Sequence, residues 1–282
     1  MSEVDLHIHS SVSDGRFSPA EIVRKAAGAG LKVIALTDHD SIDGIASAIE
    51  AAGEFPGLRV IPGVEISSDV PQGEAHMLGY FIDTTDRELL ENLVNMRNSR
   101  VKRAREMIAR LAGLGMNISW ERVHEIAGSG SVGRPHIAQA LLEKGYISSV
   151  KEAFNKYIAW GGPAYVLREK VTPAEAVALI LRADGLPVLA HPLTVAGHET
   201  LIAGLAPGGL AGIEAYYGEF SNEEIKKLVD LADKHGLITT GGSDYHGLDD
   251  KAETVLGGAD VPMECADRLI SLARQRKLKT AG

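Results

Sequence analysis

Cysteine is almost absent from this chain of 282 residues, in which Cys265 is the one thiol. A disulfide framework and a thiolate metal site each need several cysteines, so the sequence excludes both. A lone thiol is typical of a protein kept in a reducing compartment, and residues 1–5 lack the basic and apolar parts of a signal peptide. We therefore expect the protein to be cytoplasmic.

The sequence also lacks long apolar runs, and it has no excess of positive charge. No apolar stretch approaches the roughly 18 residues of a membrane helix, so we expect no membrane partner. Asp and Glu number 38 against 29 for Lys and Arg, which gives a net charge of -9. This argues against long duplex nucleic acid as a partner, because that needs a broad basic face. A nucleotide or a short oligonucleotide stays open, since bound metal ions can attract a phosphate.

Apolar residues make up 45% of the chain, enough for a packed core. Short apolar runs alternate with segments of helical period, a pattern typical of parallel strands joined by helices. Seven such strands suit an α/β fold of the β/α (TIM-like) barrel type better than an open sheet. The predicted strands span residues 4–8, 32–36, 59–64, 76–82, 186–190, 211–215 and 237–240.

Three of the intervening helices have clear start signals. Each begins with Ser or Thr followed by Glu three residues later, a capping box that satisfies free backbone groups of the first turn. These starts are Ser18-Pro19-Ala20-Glu21, Thr172-Pro173-Ala174-Glu175 and Ser221-Asn222-Glu223-Glu224.

The segment of residues 87–167 breaks the alternation. It lacks a convincing strand and has the pattern of several helices. We interpret it as a helical insertion, with residues 1–86 and 168–282 forming the barrel.

Histidines and carboxylates follow the predicted strands. His7 and His9 end the first strand, and at this spacing both rings project from one face. With His76 as a possible exception, the members lie at carboxyl ends of strands, the rim where barrel enzymes build their sites. Two or three divalent ions are implied, because the set exceeds what one ion needs. The set comprises His7, His9, Asp14, Asp38, His39, Glu65, His76, His191, Asp244 and His246.

These positions form ordered motifs that resemble those of the polymerase and histidinol phosphatase (PHP) family. The family resemblance implies a distorted seven-stranded β/α barrel with a trinuclear metal site and phosphoesterase activity. It extends from residue 4 to about residue 247. The motifs are His7-Ile8-His9-Ser10, Ser13-Asp14-Gly15, Thr37-Asp38-His39-Asp40, Pro62-Gly63-Val64-Glu65, Ala190-His191-Pro192 and Gly242-Ser243-Asp244-Tyr245-His246.

The resemblance also implies which residues hold each ion. The first site would comprise His7, His9, Glu65 and Asp244, the second Glu65, His76 and His191, and the third Asp14, His39 and His246. Some family members have histidine where this chain has Asp14. An aspartate favours a harder ion, so we expect Mn before Fe or Zn.

The insertion resembles that of stand-alone bacterial members, which act on nucleoside 3′,5′-bisphosphates and on 5′ ends of short RNAs. Its motif Gly133-Arg134-Pro135-His136 places an arginine and a histidine beside a tight turn. Guanidinium groups match phosphate oxygens, so the insertion supplies candidate substrate contacts. They are Arg100, Lys102, Arg103, Arg134 and His136, although a basic helix face is often only solvated.

The expected reaction is hydrolysis of a nucleotide phosphomonoester, with Glu65, His191 and Asp244 as catalytic residues. Metal ions lower the pKa of water from about 16 toward about 7, and His191 is a candidate acid for the leaving oxygen. Histidinol phosphate is an alternative substrate, a metal- or nucleotide-binding module without catalysis is an alternative of another class, and a DNA nuclease is a third. A monomer is consistent with the sequence.

Among three further positions, Asp40 and Tyr216 have two interpretations each and Glu214 has one. Asp40 is expected either to act at the site or, more simply, to cap a helix that begins near Ser41. Glu214 and Tyr216 follow the sixth strand, where either could line the substrate pocket, and Tyr216 could instead pack in the core.

Overall fold

The computed structural model describes residues 2–128, 130–167, 171–248 and 254–276. The predicted domain boundary at residue 168 lies outside the described residues. Seven strands form one sheet in chain order: β1 Val4–Ile8, β2 Val33–Leu36, β3 Arg59–Val70, β4 Gly73–Tyr80, β5 Leu186–Leu189, β6 Gly212–Tyr217 and β7 Ile238–Gly242. The predicted α/β fold with seven strands is confirmed.

The sheet is mixed, and the prediction of a parallel sheet is wrong for β4. This strand pairs antiparallel with both β3 and β5, whereas the other neighbouring strands pair parallel. The cause is the two-residue connection between Val70 and Gly73, which can reverse the chain but cannot hold a crossover helix. Strand β3 also continues six residues beyond its predicted end at Val64, to Val70.

The hairpin explains the exceptional place of His76. Because β4 runs backwards, its first half lies beside the last half of β3, and His76 is opposite Ser67. The beginning of β4 is therefore at the same rim as the carboxyl ends of the parallel strands.

The two edges of the sheet approach each other and nearly close a barrel. An isolated parallel bridge joins Ile8 to Tyr245, and the backbone N–H of His9 donates to the Tyr245 carbonyl at 3.0 Å. Gly242 is needed at this seam, because a Cβ there would lie 2.5 Å from the backbone nitrogen of His7. The seam brings the last motif of the chain against the first.

Helices surround this sheet, and in the described part of the chain four of them, between β4 and Pro173, make up the segment that was predicted as an insertion. All three predicted capping boxes are present, at Ser18, Thr172 and Ser221. The helices are α1 Pro19–Gly28, α2 Ile45–Ala52, α3 Arg87–Gly113, α4 Trp120–Ala127, α5 Arg134–Glu143, α6 Val150–Ala153, α7 Pro173–Arg182, α8 His198–Leu205, α9 Asn222–Lys234 and α10 Met263–Gln275, and α6 continues into a π-helical turn, Phe154–Ile158. In the part of the chain that the structure describes, no helix is both long and apolar enough to cross a bilayer.

Helices α3 to α6 pack on an apolar cluster of their own. Its large members include Met107, Leu111, Val123, Ile137 and Leu141, all buried. The amino-terminal half of α3 instead packs on the barrel through Leu89 and Leu93. Helix α3 therefore joins the helical segment to the rim of the barrel.

Candidate metal centre

The first two histidines of the chain point from β1 into a common centre. The rings of His7 and His9 are fully buried, and their Nε2 atoms lie 3.2 and 3.1 Å from Glu65 Oε2. The same two nitrogens lie 3.3 and 3.0 Å from Asp244 Oδ1. These four residues lie together, as the sequence predicts for the first metal site.

A second group forms beside the first. His246 Nε2 and His39 Nε2 lie 3.4 and 3.8 Å from the Asp14 carboxylate. His9 contributes its other ring nitrogen, with Nδ1 3.7 Å from Asp14 Oδ1. The structure therefore adds His9 to the three residues predicted for the third site.

The third group is arranged around the other oxygen of Glu65. His76 Nδ1 lies 2.9 Å and His191 Nε2 lies 3.3 Å from Glu65 Oε1. His39 Nδ1 lies 3.1 Å from Oε2 of the same carboxylate, so His39 belongs to two of the groups. Glu65 thus belongs to two of the groups. His191, predicted as a ligand of the second site, lies near Glu65 but is not a member of the group that His39, Glu65 and His76 form among the described residues.

Several of these atoms are buried without a hydrogen-bond partner among the described residues: His7 Nε2, His9 Nε2, Asp14 Oδ1, His39 Nδ1 and Glu65 Oε2. Leaving a buried polar atom unsatisfied costs about 1–3 kcal/mol, so such a cluster is unfavourable on its own. Ligands that bind one ion at about 2.1 Å lie roughly 3.0–3.4 Å apart, which is the spacing seen within the first group. The residues therefore fit divalent cations held by nitrogen and oxygen.

Charge and burial act differently on the side chains of the centre. Burial opposes the charge of His7, His9 and His76, but nearby carboxylates, Glu65 among them, outweigh it and raise the pKa of all three. A bound cation would take the place of those protons.

Burial opposes the charge of Glu65, but His39, His7 and His76 outweigh it and hold the pKa of Glu65 well below its usual value. Burial also lowers the pKa of His39 to about 3, against the attraction of Glu65 and Asp14. An ionised carboxylate and a neutral imidazole are the states in which these side chains bind metal.

A buried carboxylate behind the centre orients its histidines. Glu214 is fully buried, and its two oxygens lie 3.0 and 3.2 Å from His7 Nδ1. It also accepts a hydrogen bond from the backbone N–H of His191 at 2.8 Å. Glu214 therefore fixes the ring of His7 and the start of the His191 turn. Glu214 is not among the residues that line the pocket beside the centre, where the sequence placed it.

Asp38 has an anchoring role that its motif position does not reveal. Its carboxylate accepts three hydrogen bonds of 2.7 Å, from the backbone and hydroxyl of Ser10 and from the hydroxyl of Ser13. These bonds fix the loop that carries Asp14. Asp38 thus positions a ligand and is absent from the three groups of candidate ligands that the described residues form.

A β-bulge in β6 decides which tyrosine faces the centre. The pairing with β7 runs from Glu214↔Thr240 to Tyr216↔Gly241, so two steps on β6 match one step on β7. A bulge of this kind exchanges the two faces of a strand. Tyr216 consequently packs against the apolar core, and the Tyr217 hydroxyl donates to Asp244 Oδ2 at 3.0 Å.

Backbone strain is concentrated at this rim. Five non-glycine residues of the described chain have positive φ, and three of them are Asp40, His191 and Asp244, at 49°, 27° and 53°. Such backbone conformations cost energy and persist where surrounding contacts enforce them, as at functional sites.

Asp40 is not a helix cap, so that interpretation is wrong. Helix α2 begins later, at Ile45 after Gly44. The Asp40 carboxylate instead accepts from Arg100 Nε at 2.5 Å and from the backbone N–H of Ser67 at 3.1 Å. Asp40 and Arg100 join the barrel rim to helix α3.

A pocket of about 190 Å³ opens from the centre toward the insertion. Arg100, Arg103 and Arg134 line it, together with the ligands Asp14, His39, His76 and His246. The Glu74 carboxylate lies between two of these arginines, with Oε1 2.5 Å from Arg103 and Oε2 2.6 Å from Arg134. Burial opposes the charge of Glu74, but Arg134 outweighs it and holds the pKa well below its usual value.

Two predicted substrate contacts lie elsewhere among the described residues. Lys102 is exposed and does not line the pocket, because positions 100, 103 and 107 face it and residue 102 lies on another side of α3. His136 is buried, and its Nδ1 accepts from the backbone N–H of Gly133 at 2.9 Å, which caps α5.

The fold and the centre define a class of protein: metal-dependent barrel enzymes whose site lies at the carboxyl rim of the sheet. The PHP domain model matches residues 5–229, and the chain belongs to this family. It is 34% identical over 94% of both chains to the 3′,5′-nucleoside bisphosphate phosphatase of Chromobacterium violaceum. It is also 34% identical to the 5′-3′ exoribonuclease Rnm of Escherichia coli, over 86% of this chain and 84% of the relative.

Solved structures agree with this placement. A protein from Bifidobacterium adolescentis, assigned to the metal-dependent phosphoesterases, matches with a TM-score of 0.86 and 29% identity over 95% of both chains. An amidohydrolase from Chromobacterium violaceum with bound sulfate matches with a TM-score of 0.85 and 31% identity over 98% of this chain and 97% of that one. The predictions of a TIM-like barrel and of a metal-dependent phosphoesterase are confirmed.

Proposed function

We propose that the protein removes the 3′-phosphate from nucleoside 3′,5′-bisphosphates and leaves the 5′-monophosphate. The observation that carries this proposal is the position of Arg103 and Arg134, which we call the arginine pair, beside the metal centre. Glu74 lies 3.8 Å from the ligand His76 and 2.6 Å from Arg134. The centre and the arginines are thus a few ångströms apart in one pocket, as the two phosphates of such a substrate are.

The charges of this pocket suit a second phosphate. Arg103 and Arg134 carry two positive charges and Glu74 one negative charge, so the three side chains have a net charge of +1. Glu74 engages one terminal nitrogen of each arginine, and Arg103 Nε donates to the Val166 carbonyl at 2.9 Å. The remaining nitrogens of these guanidinium groups would donate to the distal phosphate.

At the reactive phosphate, each side chain has a defined task. His7, His9, Glu65 and Asp244 would hold one ion, while the groups around His76 and His246 would hold one or two more. Bound ions would activate water and neutralise charge on phosphorus, the chemistry that divalent metals supply. His191 lies 3.3 Å from Glu65 and outside the three ligand groups of the described residues, and it would give a proton to the leaving 3′ oxygen. Asp14 among the ligands favours Mn over Fe or Zn.

Histidinol phosphate is the less favoured substrate. Its ammonium group would be repelled by Arg103 and Arg134, which line the pocket beyond the centre. Short RNAs with a 5′-phosphate remain a second candidate, because such an end presents the same pair of phosphates. The buried free thiol of Cys265 supports a cytoplasmic location.

The decisive experiment measures phosphate release after loading with Mn. Nucleoside 3′,5′-bisphosphates, nucleoside 3′-monophosphates, 5′-monophosphates, histidinol phosphate and short 5′-phosphorylated RNAs would be compared. We expect the highest kcat/KM for the bisphosphates, with 5′-monophosphate as product. A preference for histidinol phosphate, or equal rates with 3′-monophosphates, would contradict the role of the arginine pair.

A further inference from the structure

A second cavity lies on the insertion, outside the metal centre. It has a volume of about 510 Å³ and is lined by Glu106, Arg110, Trp160, Tyr165 and Leu167, among others. Trp160 is 47% exposed and Leu167 57% exposed, although both are large apolar side chains. We call this cavity the aromatic groove. Apolar surface exposed within a concave, partly charged site often marks a binding surface.

The backbone holds Trp160 in a defined position. It begins a turn that continues through Gly161, at φ 78°, and Gly162. A Cβ on Gly162 would lie 2.5 Å from the Tyr157 carbonyl oxygen, so the turn is closely packed. The indole meets the Tyr165 ring edge to face, with ring centres 5.2 Å apart. The aromatic surface is therefore preformed.

The aromatic groove adjoins the arginine pair through Tyr165. The Tyr165 ring is 5.1 Å from the Arg103 guanidinium, and its hydroxyl is 3.5 Å from Glu74 Oε1. Tyr165 lines the groove, whereas Arg103 and Glu74 line the pocket of the metal centre. The contacts therefore run in order from the metal ligands to the arginines, then to Tyr165 and Trp160.

We propose that the aromatic groove binds the base of a second nucleotide and that the enzyme removes the 3′-terminal phosphate of short oligonucleotides. This inference rests on the proposed function. The terminal phosphate would lie at the metal centre and the internucleotide phosphate on Arg103 and Arg134. The next nucleotide toward the 5′ end would then reach Trp160 and stack on it.

The reaction is an ordinary hydrolysis and needs no further reactant. The oxygen of water forms a bond to the terminal phosphorus, and the bond between phosphorus and the 3′ oxygen breaks. The 3′ oxygen keeps the electron pair and takes a proton. The products are inorganic phosphate and an oligonucleotide with a free 3′ hydroxyl, while the internucleotide phosphate stays intact.

Stacking compensates for the weaker charge of the internucleotide phosphate. A phosphodiester carries one negative charge, whereas a terminal 5′-phosphate carries nearly two, so the arginines attract it less. Stacking of one base on an aromatic side chain improves affinity roughly 5-fold to 150-fold and accepts every base. Glu106 and Arg110 both line the aromatic groove, so their charges cancel and stacking supplies the added affinity.

The test compares two substrates on the Mn-loaded enzyme: a dinucleotide with a 3′-terminal phosphate, and a nucleoside 3′,5′-bisphosphate. Trp160→Ala should lower kcat/KM for the dinucleotide about 10-fold relative to the bisphosphate, through KM. Trp160→Phe should restore most of the loss. Tyr146→Ala serves as control, because Tyr146 is also an exposed aromatic, at 37%, outside the groove.

Fluorescence tests binding without turnover. In a Trp120→Phe background Trp160 is the remaining tryptophan, and a dinucleotide with a free 3′ hydroxyl should quench it more than a mononucleotide does. A dinucleotide that is neither hydrolysed nor able to quench Trp160 would overturn the inference while bisphosphate hydrolysis stands. Loss of bisphosphate hydrolysis in the wild type would instead count against the proposed function.

Discussion

Glu214 holds His7 from the side opposite the metal centre. Both oxygens of the Glu214 carboxylate lie within 3.2 Å of His7 Nδ1, while His7 Nε2 points to Glu65 and Asp244. A carboxylate that binds Nδ1–H leaves the lone pair of Nε2 for a cation and raises its basicity. The contact between Glu214 and His7 therefore joins strand β6 to a candidate metal ligand on strand β1.

We predict that Glu214→Gln weakens the binding of metal by His7. The amide keeps the size of the side chain but removes the charge that supports the imidazole, and loss of such a partner costs about 10-fold to 100-fold in metal affinity. Titration calorimetry with Mn would measure the effect, with circular dichroism as the control for folding. Unchanged affinity would show that Glu214 only fills space.

Asp244→Ala should remove bound metal and activity together. Asp244 Oδ1 is near both His7 and His9 Nε2, so the variant deletes a charged ligand of the first group. Metal content by mass spectrometry and phosphate release would be measured on the same preparation. Full turnover by a metal-free Asp244→Ala protein would contradict a metal-dependent reaction.

The candidate ligands could be predicted from the sequence because one simple rule governs them. A residue at or just beyond the carboxyl end of the parallel part of a strand reaches the rim whatever the details of packing, as His7, Glu65 and His191 do. The position of His76 at the rim depends in addition on the reversed direction of β4. Its signal was available, since Pro71-Gln72-Gly73 has the composition of a tight turn.

The supporting residues could not be predicted from periodicity. The bulge before Tyr216 adds one residue to a strand, and the alternation of apolar residues does not reveal it. Glu74 and Trp160 are also absent from the residues predicted for the site. Glu74 is two residues before the candidate ligand His76, on a strand that was predicted to begin only at residue 76. Trp160 could be related to the site only once the position of residues 87–167 beside the barrel was known.

The bulge itself leads to a prediction with a matched control. Tyr217→Phe removes the hydroxyl that donates to Asp244 Oδ2 and should weaken Mn binding roughly 10-fold to 150-fold, because hydrogen bonds to charged groups contribute about 1.5–3 kcal/mol. Tyr216→Phe should leave Mn affinity as in the wild type, since that ring packs in the core. Equal effects of the two changes would refute the assignment of the faces.

Cys265 should be inert toward thiol reagents in the folded protein. Burial raises the pKa of its thiol to about 11, and the side chain is only 3% exposed. At pH 8 the thiolate, which is the reactive form, is then about 0.1% of the total. A chromogenic disulfide reagent should react at least about 100 times more slowly in the native state than in denaturant. Labelling should accelerate as the pH rises toward 11, and rapid labelling of native protein at pH 8 would contradict this picture.

A change in the arginine pair should distinguish binding of the distal phosphate from binding of the phosphate that is hydrolysed. Arg134→Met should raise KM for nucleoside 3′,5′-bisphosphates roughly 10-fold to 100-fold, because charge-assisted hydrogen bonds to the distal phosphate are lost. A nucleoside 3′-monophosphate lacks that phosphate, so its KM should hardly change. Lys102→Met is the matched control, since it removes the same charge from an exposed position outside the pocket. Steady-state kinetics with both substrates would measure the difference, and an equal loss on both would mean that Arg134 supports the structure of the pocket rather than the substrate.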